Sequence, residues 1–232
     1  MSIPLLLVPG LNCTGELFAS QRAGLADIAD VRIVDHGSHA TIAAIAAAAL
    51  ATAPPRFALA GLSMGGYVAF EMLRQAPQRI DRVALLDTMA GPDTPAILGR
   101  RERQLAWIAG GGFADVCAEL LPLLVHPDRL ADEAIVAAVG SMAADTGAER
   151  FTRQMRAIMG RADSRPTLAT IRCPTLVLVG AEDRMTPPDL AAGIHHGVAG
   201  SRLVTVPHCG HLSTIERPAA VTAELRAWLT TP

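Results

Sequence analysis

Residues 61–66 read Gly61-Leu62-Ser63-Met64-Gly65-Gly66, and the setting of this stretch decides the predicted fold. The apolar run Phe57–Ala60 precedes it, and Val68 follows it at helical spacing. A strand, a sharp turn and a helix are the setting in which a Gly-x-Ser-x-Gly motif exposes its serine. Side chains in place of the glycines would clash with the neighbouring strand and helix. Ser63 is therefore predicted at the tip of the turn, beside a helix N-terminus that favours negative charge. An inert serine in a tight glycine turn is the alternative interpretation.

Outward from this turn, short apolar runs alternate with helical stretches. The predicted strands are Ile3–Val8, Val31–Val34, Phe57–Ala60, Val83–Leu86, Thr175–Val179 and Leu203–Val206. The predicted helices among them are Leu17–Ile28, Thr41–Ala51, Met64–Gln75, Pro188–Ile194 and Ala219–Leu229. Strands that are apolar on both faces and alternate with helices indicate a parallel sheet covered on both sides. The predicted fold class is therefore α/β, with a mostly parallel sheet and helices on both faces.

The middle of the chain, residues 88–166, interrupts this rhythm because it contains no strand-like run. Its helical stretches are Pro95–Ile108, Phe113–Leu124, Arg129–Ala144 and Ala148–Met159. An all-helical block between two halves of a parallel sheet is typical of a lid over the strand ends. We therefore predict a helical cap at 88–166, inserted into a core formed by 1–87 and 167–232. A separate helical domain is the alternative.

Composition excludes several classes of function. Half of the 232 residues are apolar and 18% are charged, which is typical of a globular chain rather than a disordered one. The net charge is −2 and aromatic residues make up 3%, which argues against a nucleic-acid partner. All 20 basic residues are arginine. We interpret this as a coding bias rather than an arginine-based binding site, because the arginines do not cluster beyond Arg100, Arg101 and Arg103.

Neither a membrane segment nor a targeting segment is predicted. Ile42–Ala51 is too short to span a bilayer, which needs about 20 residues. The run Ile3–Val8 lacks the charged start and the length of a signal peptide. The four cysteines form no Cys-x-x-Cys pair and no zinc-binding spacing. A reduced, cytoplasmic protein with free thiols is the resulting expectation.

A serine hydroxyl needs a base to become a nucleophile at neutral pH. Of the seven histidines, His211 is the preferred base. It lies in a short loop after the strand Leu203–Val206 and before a helix start marked by Ser213 and Glu216, three residues apart as in a capping box. His208, in the same loop, is the alternative base.

The base in turn needs a carboxylate that orients it. Asp183 is preferred because it follows the strand Thr175–Val179 and precedes the histidine in the chain. Glu182 is an alternative if the register of the loop differs, and Asp87, at the end of Val83–Leu86, is a second one.

Acyl transfer also requires donors for the negatively charged tetrahedral oxygen. The N–H of Met64, directly after the nucleophile, is the first expected donor. The second should come from the loop after the first strand, where Gly10 lets the backbone turn its amides inward. The Leu11 N–H is preferred there, and the Asn12 amide is the alternative.

The order Ser63, Asp183, His211, together with the elbow at 61–66, resembles the α/β-hydrolase superfamily over nearly the whole chain. Small capped esterases and lactonase-like members are the most similar in pattern. The resemblance implies a parallel sheet, a helical cap between the family's sixth and seventh strands, and no cofactor. The sequence departs from the family in three places. The first predicted strand corresponds to the family's third strand, Pro9 replaces a histidine common before the oxyanion glycine, and a loop common after the next strand is shortened to residues 35–38.

The resulting functional expectation is a serine hydrolase that cleaves a small-molecule ester or lactone through an acyl-enzyme. C–C bond hydrolysis or elimination at the same site, a ligand receptor with slow turnover, and an inert interaction module are the alternatives. Expected substrate contacts, each also consistent with plain helix core, are Asn12, Trp107, Phe113, Met142, Met155 and Met159. The cap arginines Arg153, Arg156 and Arg161 are interpreted as solvated helix-face residues rather than as carboxylate partners.

Overall fold

The computed structural model describes residues 2–231, and a six-stranded sheet forms its centre. The strands are β1 (Ile3–Val8), β2 (Ala29–Ile33), β3 (Phe57–Leu62), β4 (Ile80–Leu86), β5 (Thr175–Gly180) and β6 (Arg202–Val206). They are arranged in the order β2-β1-β3-β4-β5-β6, and every neighbouring pair is parallel. The predicted fold class is confirmed. All parallel strands end at the same edge, so the loops that follow them can meet there.

Ten α-helices occur in the described residues. They are α1 (Ala19–Gly24), α2 (Ile42–Thr52), α3 (Met64–Gln75), α4 (Pro95–Ala109), α5 (Phe113–Leu124), α6 (Glu133–Met159), α7 (Arg165–Leu168), α8 (Pro188–Gly197), α9 (Ser213–Glu216) and α10 (Pro218–Thr230). The helix predicted at 17–28 is shorter than expected. A 3-10 turn at Gly15–Phe18, capped by the Thr14 hydroxyl, precedes α1, and the helix ends at Gly24.

The core lies on both faces of the sheet. One face packs against α2, α3 and α8, and the other packs against α10 and the 3-10 turn that precedes α1. Four residues of neighbouring strands pair in one row across the sheet, and all are buried on the face that packs against α10. They are Leu7, Ala60, Ala84 and Leu176. The alanines at the centre of this row keep the residues of β3 and β4 small on that face. Because both faces of β3 and β5 are buried at every position, these two strands are apolar throughout rather than alternating.

Helices α4 to α7 are inserted between β4 and β5, and the described part of this segment contains no strand. The two helices predicted around position 147 are joined into α6, with Gly147 at φ 69° and ψ 165° breaking the helical backbone between them. The inserted helices bury a cluster of their own, which consists of Ile108, Val116, Leu120, Phe151 and Met155.

A buried ion network joins the beginning and the end of this inserted segment. Asp93, in the loop after β4, accepts a hydrogen bond from Arg101 of α4 at 2.7 Å and one from Arg161, just after α6, at 2.7 Å. The Arg161 guanidinium also lies 4.3 Å from the ring centroid of Tyr67 on α3. The expectation that Arg161 lies on a solvated face is therefore wrong, since 5% of its side chain is exposed.

None of the helices within residues 2–231 combines the length and the apolarity needed to cross a lipid bilayer.

Candidate active site

Ser63 lies at the end of β3 in a strained turn. Its backbone has φ 55° and ψ −114°, which a residue with a side chain rarely adopts. The turn is held by hydrogen bonds from Ser63 N–H to Leu86 O at 2.9 Å and from the Thr88 hydroxyl to Ser63 O at 2.8 Å. This conformation is the one by which a nucleophile elbow presents its serine at the top of the sheet.

Two glycines of the motif are required by close backbone approach. A Cβ added to Gly61 would lie 2.2 Å from Gly65 O, and one added to Gly65 would lie 2.0 Å from Val8 O. Both distances are far below a van der Waals contact. The sequence predicted that side chains in place of these glycines would clash with their neighbours, and these short distances agree with that reason. The crowding atoms belong to β1 and to the motif itself.

Asp183 and His211 form a buried hydrogen-bonded pair at the ends of β5 and β6. The distance between His211 Nδ1 and Asp183 Oδ2 is 2.8 Å, and the exposed fractions of the two side chains are 2% and 0%. A carboxylate only accepts hydrogen bonds, so Nδ1 carries the proton. Neutral His211 therefore has an unprotonated Nε2, which is the atom that a general base uses.

The other acceptor positions of Asp183 are also filled. Its Oδ1 accepts from the N–H groups of Met185 at 2.8 Å and Thr186 at 3.0 Å, and its Oδ2 accepts from the Thr186 hydroxyl at 2.8 Å. Burial alone would raise the pKa of Asp183, but the His211 charge and these hydrogen bonds outweigh burial and lower the pKa. The carboxylate is thus held ionised in one orientation.

The pKa of His211 is shifted by the same contacts. Burial alone would lower it, but the charge and hydrogen bond of Asp183, with smaller contributions from Asp87 and Glu216, raise it above the ordinary imidazole value. The backbone of His211 is held as well, because its N–H donates to Leu124 O, at the end of α5, at 3.0 Å.

Ser63 and His211 line the same cavity. Within the described residues the Ser63 hydroxyl and the His211 imidazole are not joined by a hydrogen bond. Hydrogen bonds of this kind are often long in unliganded enzymes and tighten when substrate binds.

Two free amides lie beside Ser63. In the described residues, the N–H groups of Met64 and Leu11 donate to no protein acceptor, and Leu11 lines the cavity. The Met64 amide is free because it belongs to the first turn of α3. The Asn12 amides are occupied, since its backbone N–H donates to Gln154 Oε1 at 3.0 Å and its side chain donates to Cys117 Sγ at 3.4 Å. This occupancy favours Leu11 over Asn12 as an oxyanion donor.

Sequence reasoning missed two residues that support the loop after β1. His36 is buried, and its Nε2 lies 2.8 Å from Gly10 O. A carbonyl only accepts, so Nε2 carries the proton. Burial lowers the pKa of His36, which keeps the imidazole neutral. Gln154 of α6 accepts from Asn12 on the other side of the loop. In the sequence His36 is a loop residue, and no local pattern predicts that it is buried against the loop after β1.

The alternative triad members have other contacts. Asp87 is fully buried, and it accepts hydrogen bonds from Gly180 N–H at 2.9 Å and from the Ser213 hydroxyl. Burial and the nearby Asp183 charge raise the pKa of Asp87 well above its usual value. Glu182 accepts from Cys209 N–H at 2.9 Å, and His208 is exposed.

The predicted capping box formed by Ser213 and Glu216 is wrong. The Ser213 hydroxyl donates to Asp87, and Glu216 accepts from the N–H of Leu212 instead of that of Ser213.

The cavity above Ser63 has a volume of about 200 Å³ and is mostly apolar. Its wall comes from the loop after β1, from α4 and α5, and from both halves of α6. Within residues 2–231, no aspartate or glutamate lines it, whereas Arg100 and Arg101 do. The Asn12 side chain also lines it, and its Oδ1 is buried without a hydrogen-bond partner.

The expected substrate contacts divide into two groups. Asn12 and Met155 line the cavity, and the other four lie outside its lining. Trp107 is 47% exposed, and its indole lies against Gly112, where an added Cβ would lie 2.1 Å from the ring. Phe113 and Met159 pack in the cluster of the inserted helices, and Met142 packs toward the sheet. For these four side chains the expectation of a cavity contact is wrong.

One group of described side chains could hold a divalent cation. The ligand atoms of His126, Glu182 and His208 all lie within 4.8 Å of one another. None of the three lines the cavity that contains Ser63 and His211.

A parallel sheet with a strained serine after β3 and an Asp–His pair after β5 and β6 is the architecture of an α/β hydrolase. The model of the family described as "Alpha/beta hydrolase family" matches residues 5–225. The chain belongs to this family, which confirms the resemblance inferred from the sequence.

Solved structures of similar fold include two hydrolases. An esterase from Thermogutta terrifontis, solved with malate bound, superimposes with a TM-score of 0.89 at 29% identity, over 99% of this chain and 90% of that one. The enol-lactonase from Burkholderia xenovorans LB400 gives a TM-score of 0.89 at 25% identity, over 100% of this chain and 92% of that one.

Curated relatives are similar over a shorter stretch. The pimeloyl-[acyl-carrier protein] methyl ester esterase of Neisseria meningitidis serogroup B is 27% identical over 177 residues, which are 72% of this chain and 67% of the relative. For a relative from Klebsiella pneumoniae, the match covers 69% of this chain and 60% of the relative's length.

Proposed function

We propose that the protein is a serine hydrolase that cleaves a carboxylic ester or lactone of a small molecule. The observation that carries this proposal is the buried Asp183–His211 pair, which shares a cavity with the strained Ser63. The proposed triad is Ser63, His211 and Asp183. The names of the esterase and the enol-lactonase with the same fold support this substrate class.

The reaction begins with attack of Ser63 Oγ on the carbonyl carbon. His211 Nε2 takes the hydroxyl proton as the C–O bond forms, and the positive imidazolium is stabilised by Asp183. The carbonyl oxygen becomes an oxyanion, and the free N–H groups of Leu11 and Met64 donate to it. Collapse of the tetrahedral intermediate breaks the bond to the alcohol oxygen, which takes the proton from His211. The acyl group stays on Ser63.

Deacylation repeats these steps with water as the nucleophile. His211 takes a proton from water, the hydroxide adds to the acyl carbon, and Ser63 leaves with the proton that His211 returns. The helical segment 88–166 acts as a cap over the core of 1–87 and 167–232, and it selects the substrate through the cavity wall. No cofactor is required for these steps.

A fluorophosphonate probe tests the proposal directly. The wild-type protein should gain the mass of one probe adduct and should hydrolyse p-nitrophenyl butyrate. Ser63→Ala should lose both properties, since no other hydroxyl shares the elbow. Ser141→Ala, which changes an exposed serine on α6, is the matched control and should behave like wild type. An unlabelled wild type, or equal labelling of Ser63→Ala, would contradict the proposal.

A further inference from the structure

The charged side chains in the cavity wall are all of one sign. Arg100 and Arg101 of α4 line it, and among the described residues no carboxylate does. Arg101 is already paired, because it shares the buried Asp93 with Arg161. The Arg101 guanidinium therefore has a carboxylate partner within the protein. Arg100 has no such partner among the described residues.

Arg100 has no hydrogen-bond acceptor or ion-pair partner within residues 2–231. Its Nε is buried and unpaired. Burial, followed by the like charge of Arg101, lowers its pKa. The charges of Glu119 and Asp93 act in the opposite direction. Glu119 accepts a hydrogen bond from Gln104 at 3.3 Å, Asp93 is bonded to Arg101 and Arg161, and neither carboxylate is bonded to Arg100.

Removing a guanidinium nitrogen from water without giving it an acceptor costs free energy. Such a group in a cavity is satisfied when the occupant brings an anionic oxygen. The planar fork of a guanidinium matches the two oxygens of a carboxylate. The rest of the wall is mostly apolar, so the complementary ligand has a short apolar body and one carboxylate.

We propose that Arg100 forms a carboxylate-binding subsite of the cavity, and that the preferred substrates are small esters or lactones that carry a free carboxylate. This inference rests on the proposed hydrolase function, because it names the substrate class of the same site. It differs, at this one position, from the interpretation of the arginines as a coding bias rather than a binding site.

Matched ester pairs test the subsite, because the two members of each pair differ only in a carboxylate or a methyl group at one end. Monomethyl glutarate and methyl pentanoate form the pair with the difference on the acyl side. The pair 4-acetoxybutanoate and butyl acetate has it on the alcohol side. Acid release at constant pH gives kcat/KM for each ester. The comparison shows whether Arg100 binds a carboxylate on the acyl side or on the alcohol side of the substrate.

In the wild type, one of the two carboxylate esters should have a kcat/KM at least about tenfold above that of its neutral partner. Arg100→Gln should lower kcat/KM for this ester at least about tenfold and leave the neutral partner within about twofold. Arg100→Lys, which keeps the charge without the fork, should recover part of the loss. Arg103→Gln changes an exposed arginine of the same helix and should leave all four esters unaffected.

Equal kcat/KM values within both pairs would overturn the subsite, as would an equal loss on charged and neutral esters in Arg100→Gln. A wild type that neither hydrolyses any of the esters nor reacts with the fluorophosphonate would instead overturn the hydrolase function. In that case glutarate binding is measured by calorimetry. Binding that is lost in Arg100→Gln would support the subsite, and absent or unchanged binding would refute it.

Discussion

His211 determines how the proposed activity depends on pH. The base must be neutral to accept the Ser63 proton, so kcat/KM should rise as the pH rises through the pKa of His211. Asp183 raises that pKa, and the acid limb should therefore have its midpoint above the ordinary imidazole value of about 6.5. In Asp183→Asn the opposing effect of burial remains, so the midpoint should move to lower pH. The rate should also fall about 10⁴-fold, because the imidazole is no longer held in the correct tautomer.

A pH profile of kcat/KM between pH 5 and 9 checks both effects. Glu182→Gln, next to the triad acid in the chain, is the control, since its carboxylate bonds to Cys209 N–H instead of the imidazole. An unchanged midpoint in Asp183→Asn would mean that this carboxylate does not set the pKa of His211.

At the scale of single residues, the sequence narrowed the acid to three carboxylates but could not choose among them by geometry. Asp87 and Asp183 both follow buried strands, and both side chains are buried. Only the direction of the side chain separates them, because Asp183 bonds to His211 and Asp87 bonds to Ser213. The role of Arg100 was hidden for a similar reason. Whether Arg100 or Arg101 is the paired residue depends on where Asp93 lies, which no local pattern encodes.

At the scale of elements, α6 supports the loop that carries the proposed oxyanion donor. Gln154 of α6 accepts the Asn12 N–H at 3.0 Å. Gln154→Leu should leave that amide without a partner, at a cost of about 1–3 kcal/mol. The neighbouring Leu11 amide should then be less well fixed, so kcat should fall about tenfold with a small change in KM.

Steady-state kinetics and urea unfolding of Gln154→Leu measure these two effects. Arg156→Gln, an exposed change on the same helix, is the control. A loss of stability without any fall in kcat would show that Gln154 supports the fold but not the oxyanion donor.

The bounds of helices and strands were predicted correctly where the local apolar pattern of a segment matches its burial in the folded protein. The strands β1, β3 and β5 are buried apolar runs bounded by glycine or proline, and their predicted and observed bounds differ by at most two residues. In contrast, β4 begins at Ile80, three residues before its predicted start. The prediction began at Val83 because Asp81 and Arg82 are polar and interrupt the apolar run. Pairing of Ile80 with Phe57 and of Arg82 with Ala58 makes this segment part of the strand, with Asp81 at an irregularity between the two pairs. Such pairing is a property of the sheet rather than of the segment.

At the scale of the whole molecule, Asp93 joins the beginning of the inserted segment to its end. The exposed fraction of its side chain is 2%, and it is bonded to two guanidinium groups. Asp93→Asn removes the charge between Arg101 and Arg161 and should destabilise the protein by about 3–5 kcal/mol, because it leaves buried charges uncompensated. Asp163→Asn is the matched control. Its pair with Arg165 is more exposed and should contribute about 1 kcal/mol or less.

Unfolding in urea at several pH values checks this prediction. Burial would raise the pKa of Asp93, but the hydrogen bonds and charges of the two arginines outweigh burial and lower it. Its contribution should therefore be fully present at neutral pH and should be lost as the pH falls through the lowered pKa. Equal stability of Asp93→Asn and Asp163→Asn at pH 7 would show that the insertion is held by other contacts.

The break at Gly147 divides the long helix α6 into two parts that contribute differently to the site. The part before the break supplies Val136, Val139, Gly140 and Ala143 to the cavity wall, whereas the part after it supplies Met155 and Ile158 and also carries Gln154. Mutations in the first part can alter which molecules fit while the second part keeps the reacting groups aligned. In evolutionary terms, substitutions in the first part of this helix can therefore change the substrate preference while the proposed catalytic groups stay in place.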